Sequence, residues 1–156
     1  MHISDIISPE RIISRGQASS KKRALEMVSE LLAKDQTTLD QHTVFESLLS
    51  REKLGSTSLG YGVALPHGRI SHSEETIGAF VQLEEGIDFD SIDNQPVDLL
   101  FALLVPEHST DEHLQMLSLL AEMFSNEEFR NKLRSVKDSS ALYQLLVNWS
   151  PHDKIP

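Results

Sequence analysis

Residues 97–105 read Val-Asp-Leu-Leu-Phe-Ala-Leu-Leu-Val, an apolar run broken by one carboxylate. Crossing a bilayer takes roughly 18 apolar residues, so this run is too short to be a membrane span. It suits a central strand of a sheet instead. Just ahead of it, Asp93-Asn94-Gln95-Pro96 marks a turn. Before that turn, Ile77, Ala79, Val81 and Leu83 alternate with Thr76, Gly78, Phe80 and Gln82, the period of a second strand.

Helical spacing flanks this strand-rich middle on both sides. Ala24, Leu25, Val28, Leu31 and Leu32 recur over residues 21–34, with Ser19 or Ser20 as a cap. A second helix follows Asp40, with Val44, Phe45, Leu48 and Leu49 on one face, and ends near residues 51–53 with Gly55 to terminate it. After Pro106, the residues Leu114, Leu117, Leu120, Ala121 and Phe124 form one stripe, with Asp111 near its start. Ser125-Asn126-Glu127-Glu128 reads as a capping box for a helix carrying Phe129 and Leu133. Leu142, Leu145, Leu146 and Trp149 mark a last helix, stopped by Pro151. Near the N-terminus, Ile6-Ile7 and Ile12-Ile13 around Pro9 frame a small strand or turn. The pattern predicts an α/β layered domain with a mixed sheet, one unit over residues 1–156, without repeats or linkers. A chain of this length buries roughly 70% of the surface its unfolded form exposes, enough for a real core. There are no cysteines, which removes disulfides, thiolate metal sites and thiol catalysis.

Charge is unevenly distributed. Lys and Arg number 14 against 24 Asp and Glu, a net charge of −10. Through Lys53 there are eight of each sign, and from Ile70 to Phe129 there is no Lys or Arg at all. Such a surface repels nucleic-acid phosphates, so nucleic acid is not an expected partner. An anionic ligand has to find its cations at Arg51, Lys53, Arg69 or a histidine. The N-terminus shows no basic stretch leading into an apolar segment, so the expectation is a cytoplasmic protein without a signal peptide or membrane insertion.

His67 has the most suggestive setting. Pro66 holds Leu65 towards extended conformations, and Gly68 leaves the other side open. The histidine is expected at the end of a short buried strand, residues 63–65, where α/β sheets commonly place ligands. There it serves as nucleophile, base, metal ligand or structural donor. The preceding loop, Gly55-Ser56-Thr57-Ser58-Leu59-Gly60-Tyr61-Gly62, resembles a phosphate cradle. It is neither a Walker loop nor a dinucleotide fingerprint. Arg51 is placed to fold back towards His67. Arg69 points the same way as His67 if the chain stays extended, although a solvated surface charge is the plainer reading. His113 sits near the start of the third predicted helix, and His108 in the loop before it. A helix N-terminus disfavours a protonated His113 but leaves a neutral one able to donate a hydrogen bond.

These residues carry a resemblance. Leu59-Gly60-Tyr61-Gly62-Val63-Ala64-Leu65-Pro66-His67-Gly68 resembles the active-site signature of the enzyme IIA domains of the fructose–mannitol class, in the bacterial phosphoenolpyruvate-dependent phosphotransferase system. The segments Ser50-Arg51-Glu52-Lys53-Leu54-Gly55-Ser56-Thr57 and Ile92-Asp93-Asn94-Gln95-Pro96-Val97, continuing to Pro106, resemble its nitrogen-regulatory branch. The resemblance implies a three-layer αβα domain with a mixed sheet. It implies a phosphohistidine at His67, carried on Nε2 and received from an HPr-like phosphocarrier, with Arg51 and His113 around the phosphoryl group. It also implies a free-standing regulator of nitrogen, potassium and carbon balance, with targets such as potassium transporters or sensor kinases and no cofactor or metal. Alternatives are a sugar-specific enzyme IIA passing phosphate to a separate IIB domain, and a binding module of the same fold that is not phosphorylated. A hydrolase with a metal on His67, His72, His108 and His113 is a further rival, although no HExxH motif is present. No role for Arg69, His72 or His108 follows from the resemblance.

Overall fold

The computed structural model describes residues 2–34, 36–71 and 75–151. Two short 3-10 turns, Ile3–Asp5 and Pro9–Arg11, lead into β1 (Ile12–Gly16). Then come α1 (Lys21–Ala33), α2 (Gln41–Glu52), β2 (Ser58–Gly60), β3 (Val63–Ala64) and β4 (His67–Ile70). A long hairpin of β5 (Ile77–Ile87) and β6 (Val97–Pro106) follows, and α3 (Thr110–Ser125), α4 (Glu127–Ser135) and α5 (Ser139–Asn148) complete the chain.

The sheet order is β1-β5-β6-β3-β2, with β4 also paired to β6. It is mixed: β1 runs parallel to β5, β5 antiparallel to β6, and β3 and β4 both parallel to β6. β3 and β4 lie end to end along one side of β6, because Pro66 has no N–H for the ladder. Its carbonyl still accepts from the Leu103 N–H at 2.9 Å.

β6 is fully buried from Leu99 to Val105, as a strand covered on both faces must be. On one face Phe80, Phe101, Leu103 and Val105 pack with Leu120 and Phe124 of α3, Leu133 of α4 and Leu142 and Leu146 of α5. On the other, Ala79, Val81, Leu100, Ala102 and Leu104 pack with Leu25, Val28 and Leu32 of α1 and Val44 and Leu48 of α2. The architecture is therefore a three-layer αβα domain with a mixed sheet. Ser20 caps α1 by accepting from the Arg23 N–H, and Asp40 caps α2 through Thr43.

Several local expectations change. Phe80 and Gln82 face no water, because helices cover both sides of β5. Gln82 is satisfied internally, its Nε2 donating to the Leu133 and Val136 carbonyls at 2.8 and 2.6 Å. The cap of α4 is Asn126, which accepts from the Phe129 N–H, while the Ser125 hydroxyl donates backwards to the Glu122 carbonyl. In α3 the buried face carries His113, Met116, Leu120, Met123 and Phe124, whereas Leu114 is 59% exposed. Both registers have helical period; Leu120 and Phe124 of the predicted stripe are buried, and Met116 and Met123, outside that stripe, fill the gaps against the sheet. This rotation turns His113 inwards.

Candidate functional site

Three elements meet beside the C-terminal half of β6: the end of α2, the start of β4 and the start of α3. α2 lies so close to β4 that a Cβ at Gly68 would collide with the Ser47 hydroxyl and stand 3.2 Å from the Ser47 backbone carbon. Gly68 thus permits helix–strand contact, a different part from the opening of space expected for it. The Ser47 hydroxyl donates to the Arg69 carbonyl at 2.8 Å and fixes the strand.

His67 is the first residue of β4, across from Leu103, and not the last residue of the strand before it. It is half-buried, and its Nδ1 lies 2.7 Å from the Leu65 carbonyl oxygen. A carbonyl only accepts, so Nδ1 carries the proton and the lone pair lies on Nε2. Burial pushes the imidazole below its ordinary value, the Leu65 hydrogen bond opposes this, Arg51 lowers it further, Glu52 raises it and Arg69 lowers it again. The balance is a neutral ring at neutral pH.

The His113 ring stands 5.2 Å from that of His67, tilted by 54°. It is buried, with 7% exposure, and its Nδ1 has no hydrogen-bond partner among the described residues. Burial, then the charges of His67, Arg69 and Arg51, push it down to about 4. A buried polar nitrogen left unpaired is costly, and it asks for an explanation.

Arg51, in the last turn of α2, is close enough for its charge to act on both imidazoles. Its Nη1 donates to the Gly55 carbonyl at 2.8 Å, one of the five donors a guanidinium holds. Arg69 acts on both rings as well, and its exposed side chain makes no hydrogen bond or ion pair among the described residues. Sequence reasoning set Arg69 aside as a surface charge; its spacing two residues from His67 on a strand was the available signal. Lys53 is exposed just past the end of α2, and His108 is exposed in the turn before α3. His72 lies outside the described residues. Among the described residues, no three His, Asp or Glu side chains come together as a metal site.

The glycine-rich loop divides in two. Its first half runs beside Leu65, whose N–H donates to the Thr57 carbonyl at 3.1 Å. Its second half is β2 and a tight left-handed turn, Gly60-Tyr61-Gly62, all at positive φ. That turn faces Asp93, Asp98 and Arg134 near the start of β6, four ladder positions or roughly 13 Å from His67. Gly60 and Gly62 serve the backbone turn, and they are no cradle for a ligand at His67.

What the site presents is one nucleophilic nitrogen, one buried nitrogen without a partner and two nearby guanidinium groups. Residues 5–149 match the family model described as phosphoenolpyruvate-dependent sugar phosphotransferase system, EIIA 2. The nitrogen regulatory protein of Pseudomonas aeruginosa is 43% identical over 148 residues, covering 95% of this chain and 96% of that protein. The nitrogen regulatory protein of Escherichia coli is 47% identical over 149 residues, covering 95% of this chain and 91% of its own. Among solved structures, nitrogen regulatory protein IIA-Ntr from Neisseria meningitidis matches with a TM-score of 0.87 at 42% identity, covering 92% of this chain and 98% of that one. The chain belongs to the EIIA 2 family of the phosphoenolpyruvate-dependent sugar phosphotransferase system, on its nitrogen-regulatory branch.

Proposed function

We propose that the chain is a histidine phosphoryl carrier that accepts a phosphoryl group on Nε2 of His67 from an HPr-like phosphocarrier. In this reading it acts as a cytoplasmic regulatory component for nitrogen, potassium and carbon balance and does not move sugar itself. The observation that carries the reading is the 2.7 Å bond from Nδ1 of His67 to the Leu65 carbonyl, which leaves Nε2 bare. Among the described residues no helix is long and apolar enough to cross a membrane.

In the transfer, the Nε2 lone pair forms a bond to phosphorus while the donor's nitrogen–phosphorus bond breaks and returns its electron pair to the donor ring. Positive charge grows on the His67 ring as the new bond forms, and the Leu65 carbonyl facing Nδ1–H stabilises it. Phosphoryl transfer runs through a loose transition state, so positioning and charge stabilisation outweigh acid–base chemistry. Arg51 holds equatorial oxygens, and neutral His113 donates to another. The His113 ring, 5.2 Å from that of His67, is near enough for this role.

Incubation with a phosphorylated HPr-like donor is the direct test. The expected product is a stoichiometric phosphoramidate, acid-labile and alkali-stable, with phosphorus on Nε2 by NMR. A chain that stays unlabelled, or carries its label elsewhere, overturns the reading. Phosphorylation adds close to two negative charges and three acceptor oxygens beside Arg51. A partner docking over the site therefore meets a bare imidazole or a dianion, and a tenfold preference takes only about 1.4 kcal/mol. Calorimetry of potassium transporters or sensor kinases against both forms checks the regulatory part; equal affinities would leave a carrier that only passes phosphate on.

A further inference from the structure

Glu52 is the last residue of α2, and the phosphoryl chemistry above makes no use of it. Its side chain is only 2% exposed. A buried carboxylate at a helix C-terminus is unfavourable twice, because it loses water and meets the negative end of the helix dipole. Three groups offset this. Lys21 Nζ lies 3.1 Å from Oε1, the Thr57 N–H donates to both oxygens at 3.2 and 3.1 Å, and the Thr57 hydroxyl donates to Oε2. Lys21 is itself held by Asp90 at 3.3 Å and by the Phe89 ring, 4.7 Å from its centroid.

What this cluster immobilises is Thr57, and Thr57 is a neighbour of the active strand. Its carbonyl accepts the Leu65 N–H at 3.1 Å. The Leu65 carbonyl in turn accepts Nδ1–H of His67 at 2.7 Å. On the far side, the Pro66 carbonyl accepts from the Leu103 N–H at 2.9 Å. The carbonyl that selects the His67 tautomer therefore stands between two anchors. One is the sheet, and the other leads through Thr57 to Glu52.

We propose that Glu52 is a positioning residue: through Thr57 and Leu65 it holds the carbonyl that keeps the His67 proton on Nδ1 and presents Nε2 for reaction. The inference rests on His67 as phosphoryl acceptor, but the tautomer is measurable without any phosphoryl donor. The charge of Glu52 also acts on His67 in the sense opposite to that of Arg51. Loss of the carboxylate should thus lower the titration of His67 as well as loosen its orientation.

The test is 15N NMR of the His67 ring together with single-turnover uptake in Glu52→Gln, Glu52→Asp and Thr57→Val. In Glu52→Gln the Nδ1–H tautomer should lose its dominance. The rate at saturating donor should fall roughly tenfold or more, with the half-saturating donor concentration unchanged. Glu52→Asp should restore part of both readouts. Thr57→Val, which keeps the backbone N–H bond and removes the hydroxyl, should move both less far in the same direction and carries the test if Glu52→Gln does not fold. Wild-type tautomer and rate in a folded variant overturn the proposal. An unphosphorylated wild type would instead strike the carrier reading, and the NMR result would still decide the role of Glu52.

Discussion

Near the start of β6, the Arg134 Nε bonds both oxygens of Asp98 at 3.2 and 3.0 Å, and its Nη2 reaches Asp98 and the Tyr61 carbonyl at 2.9 and 2.6 Å. Arg130 donates to the Phe124 carbonyl at 2.9 Å and lies over the Tyr61 ring. Beside the other half of the same strand, and among the described residues, the Arg69 side chain has no bonded partner, the Arg51 side chain bonds the Gly55 carbonyl alone, and buried His113 keeps an unpaired nitrogen. Both regions combine arginines with glycines of residues 55–62, the loop that resembles a phosphate cradle in the sequence. The difference lies in whether donors already have acceptors. Where they do, the arginine holds the fold together. Where they do not, as at Arg51 and Arg69, the side-chain N–H groups stay open to solvent.

This contrast can be broken by substitution. His67→Ala should abolish phosphoryl uptake and leave the thermal midpoint nearly unchanged, because the ring is half-buried and only one hydrogen bond is lost. Undiminished labelling of that variant would falsify the whole assignment of the C-terminal half. Next in size, Arg51→Ala and His113→Ala should each slow single-turnover transfer on the order of 10²–10³-fold, the usual loss for one preorganised donor at a transition state. Normal rates in both would mean that the unpaired donors serve no reaction.

The opposite end should respond in the opposite currency. Arg134→Ala should cost about 1–3 kcal/mol in denaturant unfolding, since it leaves the Asp98 carboxylate unpaired, while uptake at His67 stays as in the wild type. A variant of unchanged stability and impaired uptake would erase the distinction between the two regions. The smallest effect concerns pH. Burial holds the His67 imidazole below its ordinary value, so uptake should hold at neutral pH and fail only in more acidic buffer, where Nε2 becomes protonated. Arg51 disfavours that protonation, so in Arg51→Ala the acid limb of the pH–rate profile should move to higher pH. A shift the other way, or none, would show that the arginine's field does not reach the ring.

The elements were largely legible in the sequence. The buried run at 97–105, the alternation from Ile77 and the helical spacing around Leu25 and Leu48 depend on neighbours along the chain, and the structure has strands and helices there. Caps were less so: Ser125 and Asn126 both offer an oxygen, and only the geometry at Phe129 chooses between them. For the candidate site, the sequence named His67, Arg51 and His113, and the structure brings two of their rings within 5.2 Å. It could not assign the glycines, because a turn glycine and a ligand-cradling glycine read alike until their neighbours are known.

The sequence by itself determined the periodicities, the Pro66-His67-Gly68 setting and the confinement of cations to a few positions, all of them properties of short stretches of chain. The tertiary structure alone decided that α3 rotates His113 towards His67, that Arg134 is paired and Arg69 is not, and that Glu52 lies under Thr57. Each of these depends on which side chains arrive from other elements to exclude water and to accept or withhold a hydrogen bond. Spacing along one element carries no record of that, because burial and partnership are set across the sheet.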